Sequence, residues 1–301
     1  MYLARKLPQA STFVLSLLAA CSFSAFAQVK AGDADRQRAP DDPGVATWTF
    51  EATPAWQDEF DYTGAPDPGR WGYDLGGHGW GNRELQYYTD RLENASVADG
   101  VLSIVAIKQR RKDNRYTSAR VVSKGKGDFL YGRIEVRAKL PPGRGTWPAL
   151  WMLPTGQAYG GWPKSGEIDL MEHVGYDPGR VHITMHTEAY NHRINTQRSG
   201  IRTVEGAMTG FHVYRTDWTP DGIRGYIDDQ LVLDFPNQRT GSATWPFDQP
   251  FHLLMNIAVG GDWGGKEGVD GAAFPATMQV DYVRVYKLRD APGPDSVDAP
   301  R

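Results

Sequence analysis

The chain has 301 residues, a formal net charge of −3 and an isoelectric point near 6.2. These values exclude a basic protein that binds nucleic acid or an anionic membrane surface through its charge, and they suggest a neutral partner. With 34 glycines, 20 prolines and 10 tryptophans, the composition indicates many turns and aromatic rings. One large domain is expected, since all-β domains often reach about 250 residues.

The N-terminal segment has the features of an export signal. Two basic residues precede an apolar run at residues 13–20, and residues 25–27 (Ala-Phe-Ala) form a small-residue cleavage site. We therefore predict a signal peptide at residues 1–27 and an exported protein, secreted or periplasmic. A second interpretation is a lipoprotein anchored through an acylated Cys21. Because Cys21 is the only cysteine, a signal cleaved after residue 27 leaves no disulfide and no thiolate zinc site.

Polar segments rich in Asp and Pro flank the rest of the chain. We predict a flexible linker at residues 28–46, one folded domain at residues 47–288 and a disordered tail at residues 289–301. No transmembrane segment is expected, and a monomer is the expected state.

Alternation of apolar and polar residues predicts strands along this domain. The pattern is clear at residues 101–107, 133–139 and 223–235, where Asp228 and Asp229 interrupt the last run as a hairpin turn does. Three more strands are predicted at residues 211–218, 251–259 and 278–286. We find neither a long amphipathic helical pattern nor an internal repeat. The predicted fold is therefore an all-β, antiparallel two-sheet sandwich.

An acidic cluster lies on a strand-like segment at residues 166–173 (GEIDLMEH). On a strand, Glu167 and Asp169 share one face, whereas Glu172 has the wrong parity. A β-bulge at residues 170–171 would return Glu172 to the face of the other two acids, and bulges are often found next to active sites. Three carboxyl groups are therefore expected in one cleft.

This cluster suits a retaining glycosidase, which needs one carboxylate to attack the anomeric carbon and one carboxylic acid to protonate the leaving oxygen. Asp169 lies between the two glutamates, where it can drive their pKa values apart. The alternative is three acids on a solvated strand face. The apolar residues Ile168, Leu170 and Met171 disfavour it, because acids on an apolar strand are costly unless they are functional or paired.

Aromatic and amide residues accompany the acids, as a carbohydrate cleft requires, since sugars stack on rings and bind fixed polar groups. The candidates for substrate contact in this pattern are Trp80, Asn82, Trp147, Trp151, Asn256 and Trp263. The remaining tryptophans are interpreted as core residues, namely Trp48, Trp56, Trp71, Trp218 and Trp245.

His182 and His186 are four residues apart, which raises the question of a zinc site. On one strand they are about 13 Å apart, too far to bind one ion together. We interpret His186 as a hydrogen-bonding group on the aglycone side of the cleft.

Taken in order, the motifs resemble the laminarinase-like branch of glycoside hydrolase family 16. They extend over about residues 47–287 and comprise residues 79–88 (GWGNRELQYY), 116–120 (YTSAR), 147–153 (WPALWML), 166–175 (GEIDLMEHVG), 256–261 (NIAVGG) and 280–286 (VDYVRVY).

This resemblance implies a concanavalin A-like jelly-roll sandwich with a substrate cleft on its concave sheet. It implies a retaining mechanism with Glu167 as nucleophile, Glu172 as acid/base and Asp169 as assisting acid, and with no cofactor in catalysis. The bulged acid strand is similar to that of laminarinases and favours internal β-1,3-linkages of β-glucan. Positions on or near sugar-contacting sites of the family are Asn82, Arg120, Trp147, Trp151, His186, Asn256 and Trp263.

The family resemblance also implies a structural calcium ion away from the cleft. Its ligands would be the main-chain oxygens of Glu59 and Gly100 and the side chain of Asp281. The sequence alone supports this hard-oxygen site weakly, because any residue can supply a main-chain oxygen.

Two other functions stay open at this stage. One is a β-1,3-1,4-glucanase, a transglycosylase or a galactan hydrolase of the same family; few basic residues surround the acid strand, which disfavours sulfated galactans. The other is a non-catalytic β-glucan-binding protein, which retention of all three acids disfavours. The polar segment at residues 187–198 could narrow the cleft and set chain-length preference.

Overall fold

The computed structural model describes residues 47–289, and the predicted signal peptide, linker and tail lie outside this range apart from residue 289. The described chain is built from strands and two short 3-10 helices, His192–Ile194 and Gly271–Ala273. The strands are β1 (Trp56–Asp58), β2 (Gly72–Tyr73), β3 (Gln86–Tyr88), β4 (Ala95–Ala98), β5 (Val101–Ala106), β6 (Tyr116–Ser118), β7 (Arg120–Val122), β8 (Asp128–Phe129), β9 (Gly132–Lys139), β10 (Thr146–Pro154), β11 (Glu167–His173), β12 (Arg180–His186), β13 (Arg198–Thr203), β14 (His212–Thr219), β15 (Gly222–Ile227), β16 (Gln230–Pro236), β17 (Phe251–Val259) and β18 (Ala276–Tyr286).

Two large antiparallel sheets contain most of these strands. The outer sheet has the order β16-β15-β14-β9-β18-β5-β4, and β1 also pairs with β18. The cleft sheet has the order β13-β12-β11-β10-β17-β7-β2, and β8 also pairs with β17. A short parallel pair, β3 and β6, forms a third element. The predicted all-β, antiparallel jelly-roll sandwich is confirmed.

The core lies between the two sheets. Strand β9 alternates buried and half-buried residues, as a strand with one solvated face does. Strand β17, in the middle of the cleft sheet, is buried along its whole length. The largest fully buried side chains include Trp71, Tyr214 and Trp218, and burial of such a side chain contributes about 1.5–3 kcal/mol.

The core assignment of the tryptophans holds for three of the five. Trp71, Trp218 and Trp245 are at most 5% exposed. Trp56 is only partly buried and packs edge-on against Trp71. Trp48 is also only partly buried, and the Arg224 guanidinium covers its ring at 3.8 Å.

The predicted hairpin at Asp228 and Asp229 joins β15 to β16. Both residues have positive φ angles, 49° and 63°. A two-residue turn with this backbone matches the right-handed twist of the flanking strands. The turn therefore accounts for the break that the sequence pattern shows.

Candidate active site

The acid strand β11 contains the predicted bulge. Strand β10 pairs Leu150 with Met171 and Trp151 with Asp169, so Leu170 has no partner of its own. The pairing with β12 is also interrupted between Asp169 and the last acid of the strand. The extra residue reverses the side-chain parity, and all three acids therefore face the same cleft.

A cleft of about 660 Å³ crosses the cleft sheet over these acids. Six of the eight predicted substrate residues line it, namely Trp80, Asn82, Arg120, Trp147, Trp151 and Asn256. The cleft is a groove with both aromatic rings and polar groups in its walls, as a site for a chain of sugars requires.

Tryptophan side chains hold the two outer acids. The indole N–H of Trp162 donates a 2.8 Å hydrogen bond to Glu167 Oε2, and that of Trp147 donates a 3.0 Å hydrogen bond to Glu172 Oε1. The second indole also packs at 5.5 Å against the ring of Trp263. Each glutamate thus has one carboxylate oxygen fixed by a rigid donor.

Burial raises the pKa of each acid in the cluster. The pKa of Glu167 is raised to about 8, first by burial and then by the charge of Asp169. Burial and the charge of Glu172 raise the pKa of Asp169 well above its usual range, and burial raises the pKa of Glu172. Closely spaced carboxyl groups in one buried site titrate together, so the cluster retains a proton near neutral pH. This proton is what a general acid must supply.

One end of the cleft is built around Arg120. Its guanidinium lies between the rings of Trp80 and Trp151, at 4.7 and 4.6 Å from their centroids. A 3.0 Å ion pair joins it to Asp74. Arg120 is 9% exposed, so its main effect is to fix two aromatic walls.

A hydrogen-bond network continues from this end along the cleft floor. Trp151 Nε1 donates to Asn256 Oδ1 at 2.7 Å, and Asn256 Nδ2 donates to the Tyr88 hydroxyl at 3.0 Å. The Glu84 carboxylate accepts from Tyr88 and from Asn82 Nδ2. The orientation of both asparagine amides is therefore set by protein groups.

Glu84 is a functional candidate that the sequence analysis missed. Its carboxylate also accepts a 2.6 Å hydrogen bond from Gln86 Nε2, and burial raises its pKa. The alternating polar residues of the Glu84–Tyr88 segment could have indicated one polar face, since the hydrogen-bond partners of Glu84 all lie within four residues of it.

A second missed group lies near the nucleophile candidate. Trp162 precedes β11, and His192 and Arg193 belong to the 3-10 helix after β12. The Arg193 guanidinium stacks on the Trp162 ring at 4.5 Å, and all three residues line the cleft. The segment at residues 187–198 therefore forms part of one cleft wall, as the sequence had suggested.

His186 and Trp263 lie behind the cleft surface. His186 contacts Asp169 and Glu167 and is 5% exposed, and Trp263 packs edge-on against Trp147. Neither is among the residues that line the cleft. Direct sugar contact stays a prediction for both.

The residues predicted to bind calcium lie in or beside three strands of the outer sheet, β1, β5 and β18. Along one edge of β18, β5 pairs as far as Val280 and β1 pairs from Val283 onward. Asp281 lies between these two partners, next to the start of β5 after Gly100 and the end of β1 before Glu59. A bulge at this position interrupts the pairing of β18 with β9.

Both the fold and the two tryptophan-held acids define a glycoside hydrolase. The family model for glycosyl hydrolases family 16 matches residues 82–284. The chain therefore belongs to this family.

Related proteins agree with this assignment. The chain is 53% identical over 291 residues to a beta-glucanase from Rhodothermus marinus, with 94% of this chain and 96% of the relative covered. The structure of the laminarinase from Rhodothermus marinus superposes with a TM-score of 0.77 at 58% identity, and the match covers 78% of this chain and 97% of that chain. A mutant of a non-specific endo-beta-1,3(4)-glucanase from family GH16, crystallised with 1,3-beta-D-cellotriosyl-glucose, matches with a TM-score of 0.77 at 43% identity and covers 81% of this chain and 99% of that chain.

Proposed function

We propose that this chain hydrolyses internal β-1,3-glucosidic bonds of a laminarin-like β-glucan with retention of anomeric configuration. The observation that carries the proposal is the pair of carboxyl groups on one cleft face, Glu167 and Glu172, each fixed by an indole N–H. Names of relatives support the substrate class, since they include a beta-glucanase and a laminarinase.

The reaction proceeds in two displacements. First, the Glu167 carboxylate attacks the anomeric carbon while Glu172 gives its proton to the departing glucosyl oxygen. This step breaks the glycosidic bond and forms a glucosyl ester on Glu167. Then Glu172 takes a proton from water, whose oxygen attacks the same carbon and releases Glu167 as a carboxylate. Members of this family need no cofactor for catalysis.

Asp169 assists this exchange from between the two glutamates. Its negative charge raises the pKa of Glu167, and its own pKa is raised by burial and by Glu172. A proton can therefore be shared within the cluster as charge moves between the two glutamates during the reaction.

The substrate walls suit a neutral glucan chain. The rings of Trp80, Trp147 and Trp151 offer flat faces for stacking, and the oriented amides of Asn82 and Asn256 offer donors and acceptors for hydroxyl groups. Mixed-linkage glucan is the second candidate, because a relative of very similar fold is named a non-specific endo-beta-1,3(4)-glucanase.

The test is release of reducing sugar from laminarin, mixed-linkage glucan, cellulose and agarose by the mature chain and by Glu167→Ser. We expect oligosaccharides from laminarin, a β-anomer as the first product in proton NMR, and no activity in the variant. Binding of laminarin without cleavage would instead establish a non-catalytic glucan-binding protein.

We propose in addition that Glu59, Gly100 and Asp281 hold a structural calcium ion. The proposal is supported by the position of Asp281 in β18, between the stretches that pair with β5 and with β1, since hard oxygen donors suit calcium. The Asp281 carboxylate pairs with Arg137, whose side chain is 39% exposed, so this arginine can turn to solvent when a cation takes its place.

We also propose that the protein is exported and acts as a monomer. Export rests on the sequence of residues 1–27, and mass spectrometry of the mature N-terminus distinguishes simple cleavage from lipidation at Cys21. Within residues 47–289, no helix is long and apolar enough to cross a bilayer.

A further inference from the structure

His186 is the basic side chain closest to the acid cluster. In the pairing of β11 with β12 it lies directly opposite Glu167. Its Nε2 atom is 3.4 Å from Asp169 Oδ2 and 3.8 Å from Glu167 Oε1. Within residues 47–289, no other Lys, Arg or His nitrogen forms an ion pair with these two carboxylates.

Contact between His186 and a sugar is hindered by its neighbours. The Trp162 ring lies 5.9 Å away and the His192 ring lies 5.2 Å away, edge-to-face. The side chain of His186 is 6% exposed. The ring therefore offers its polar edge to the acids and little surface to the cleft.

Asp169 needs such a partner. Its side chain is 2% exposed, and within the described chain its Oδ2 atom is buried with no hydrogen-bond partner. A buried carboxylate oxygen without a donor has lost its hydrogen bonds to water without replacement, which is costly. A proton on Nε2 of His186 would point at this oxygen, and catalytic hydrogen bonds often shorten only when substrate is bound.

We propose that His186 is a positioning residue of the acid cluster, whose Nε2–H holds Asp169 and attracts Glu167 so that the nucleophile loses its proton more readily and stays correctly aimed. This inference rests on the proposed function. The charges support it, because attraction by His186 lowers the pKa of both Glu167 and Glu172 against the effect of burial.

The groups that face His186 are few. From β11 they are Glu167, Asp169 and, through its charge, Glu172; from the segment before β11 the uncharged ring of Trp162, and from the 3-10 helix His192. The pKa of His192 is lowered by burial and then by His186, so His192 favours its neutral form. Among residues 47–289, removal of His186 therefore leaves these two carboxylates without a Lys, Arg or His nitrogen at ion-pair distance.

The experiment compares His186→Phe and His186→Gln on laminarin and on a dinitrophenyl β-laminarioligosaccharide. The dinitrophenolate leaves without protonation, so its release depends on the nucleophile and not on the general acid. We expect the Phe variant to lose on the order of 100-fold in kcat on both substrates with little change in KM. The Gln variant keeps a side-chain N–H and should recover part of the loss.

The pH profile is the readout that a structural role would not move. Loss of the attraction raises the pKa of Glu167, so the acidic limb of kcat/KM should shift to higher pH in both variants. A rise in KM with unchanged kcat would overturn the proposal in favour of a sugar contact. An unmoved acidic limb with kcat close to that of the parent enzyme would overturn it outright.

His212→Gln is the matched control, because this histidine lies on the outer sheet and pairs with Asp228. It should behave as the parent enzyme in all assays. If the Phe variant fails to fold, the Gln variant decides, together with the imidazole nitrogen resonances of His186 in the parent chain. These resonances must shift in Asp169→Asn; unchanged resonances would contradict the contact. A parent chain that cleaves no glucan would refute the proposed function, whereas the NMR result would still decide the contact.

Discussion

The indole N–H of Trp162 donates a hydrogen bond of 2.8 Å to Glu167 Oε2, and the Arg193 guanidinium stacks on the ring of the same indole at 4.5 Å. The nucleophile candidate is therefore oriented by a ring that is itself held by a residue from a different segment. Hydrogen bonds to a charged group contribute about 1.5–3 kcal/mol, enough to affect both the orientation and the ionisation of a carboxylate.

Trp162→Phe removes this donor and retains most of the ring. We expect kcat on laminarin to fall by about 10- to 100-fold, as the loss of one charge-assisted hydrogen bond predicts. Because the donor lowers the pKa of Glu167, the acidic limb of kcat/KM should also move to higher pH. Trp56→Phe, at the edge of the core, is the control for loss of an indole N–H. Unchanged kinetics in Trp162→Phe would show that the hydrogen bond is dispensable.

Glu167→Gln should stabilise the fold at alkaline pH. The pKa of Glu167 is raised by burial to about 8 from an ordinary value of 4.5. Between these values the folded chain retains a proton that the unfolded chain has lost, so stability falls as pH rises through this window. Above pH 8 the folded chain carries the full free-energy cost of an ionised, buried Glu167. A neutral glutamine at this position avoids that cost.

Thermal unfolding at several pH values measures this effect. We expect the Tm of Glu167→Gln to exceed that of the parent chain by about 3–10 °C at pH 9 and to match it at pH 4. Glu93→Gln, on an exposed side chain, is the control for a general change in charge. A Tm difference that is the same at both pH values would contradict a raised pKa at Glu167.

Glu84→Gln should weaken substrate binding more than it slows chemistry. The carboxylate accepts hydrogen bonds from Asn82, Gln86 and Tyr88, and a glutamine would oppose one of these donors with its own N–H groups. We expect KM for laminarin oligosaccharides to rise on the order of 10-fold with a smaller change in kcat. Calorimetric titration of laminaritetraose into Glu167→Ser with and without the second substitution separates binding from turnover. Equal affinities would exclude this role for Glu84.

Removal of calcium should destabilise the outer sheet. Binding to the folded state alone adds about 2.7 kcal/mol at a ligand concentration of 100 times Kd. We therefore expect a higher Tm in calcium than in EGTA for the parent chain, and the same Tm in both for Asp281→Asn. Activity of the folded variant on laminarin should be retained. Equal Tm values with and without calcium in the parent chain would refute the site.

The bulge in the acid strand could be predicted from the local sequence pattern. Parity along β11 and the need for three acids on one face predict a bulge after Asp169, and the structure has it there, with Leu170 as the extra residue. The pattern was sufficient because side chains of a strand alternate between two faces. Only an inserted residue can therefore bring Glu172 to the face of the other two acids.

The surroundings of Arg120 and His186 could not be predicted from the local sequence pattern. Their sequence motifs predict sugar contacts, which stay predictions, but they did not indicate that Arg120 lies between Trp80 and Trp151 or that His186 lies against two acids. In both cases the partners come from other strands and loops. A sequence motif identifies a side chain, but it does not show which aromatic rings and charged groups contact that side chain in the folded protein.

By itself, the sequence determined the all-β fold, the bulged acid strand and the family, because these follow from period-two patterning and from ordered local motifs. Only the tertiary structure decided which side chains hold the acids, which rings form the cleft walls and which charge faces the nucleophile. The physical reason is that burial and the pKa shifts it causes depend on contacts between segments far apart in the chain. The contacts of His186 with Asp169 and of Asn256 with Tyr88 are of this kind.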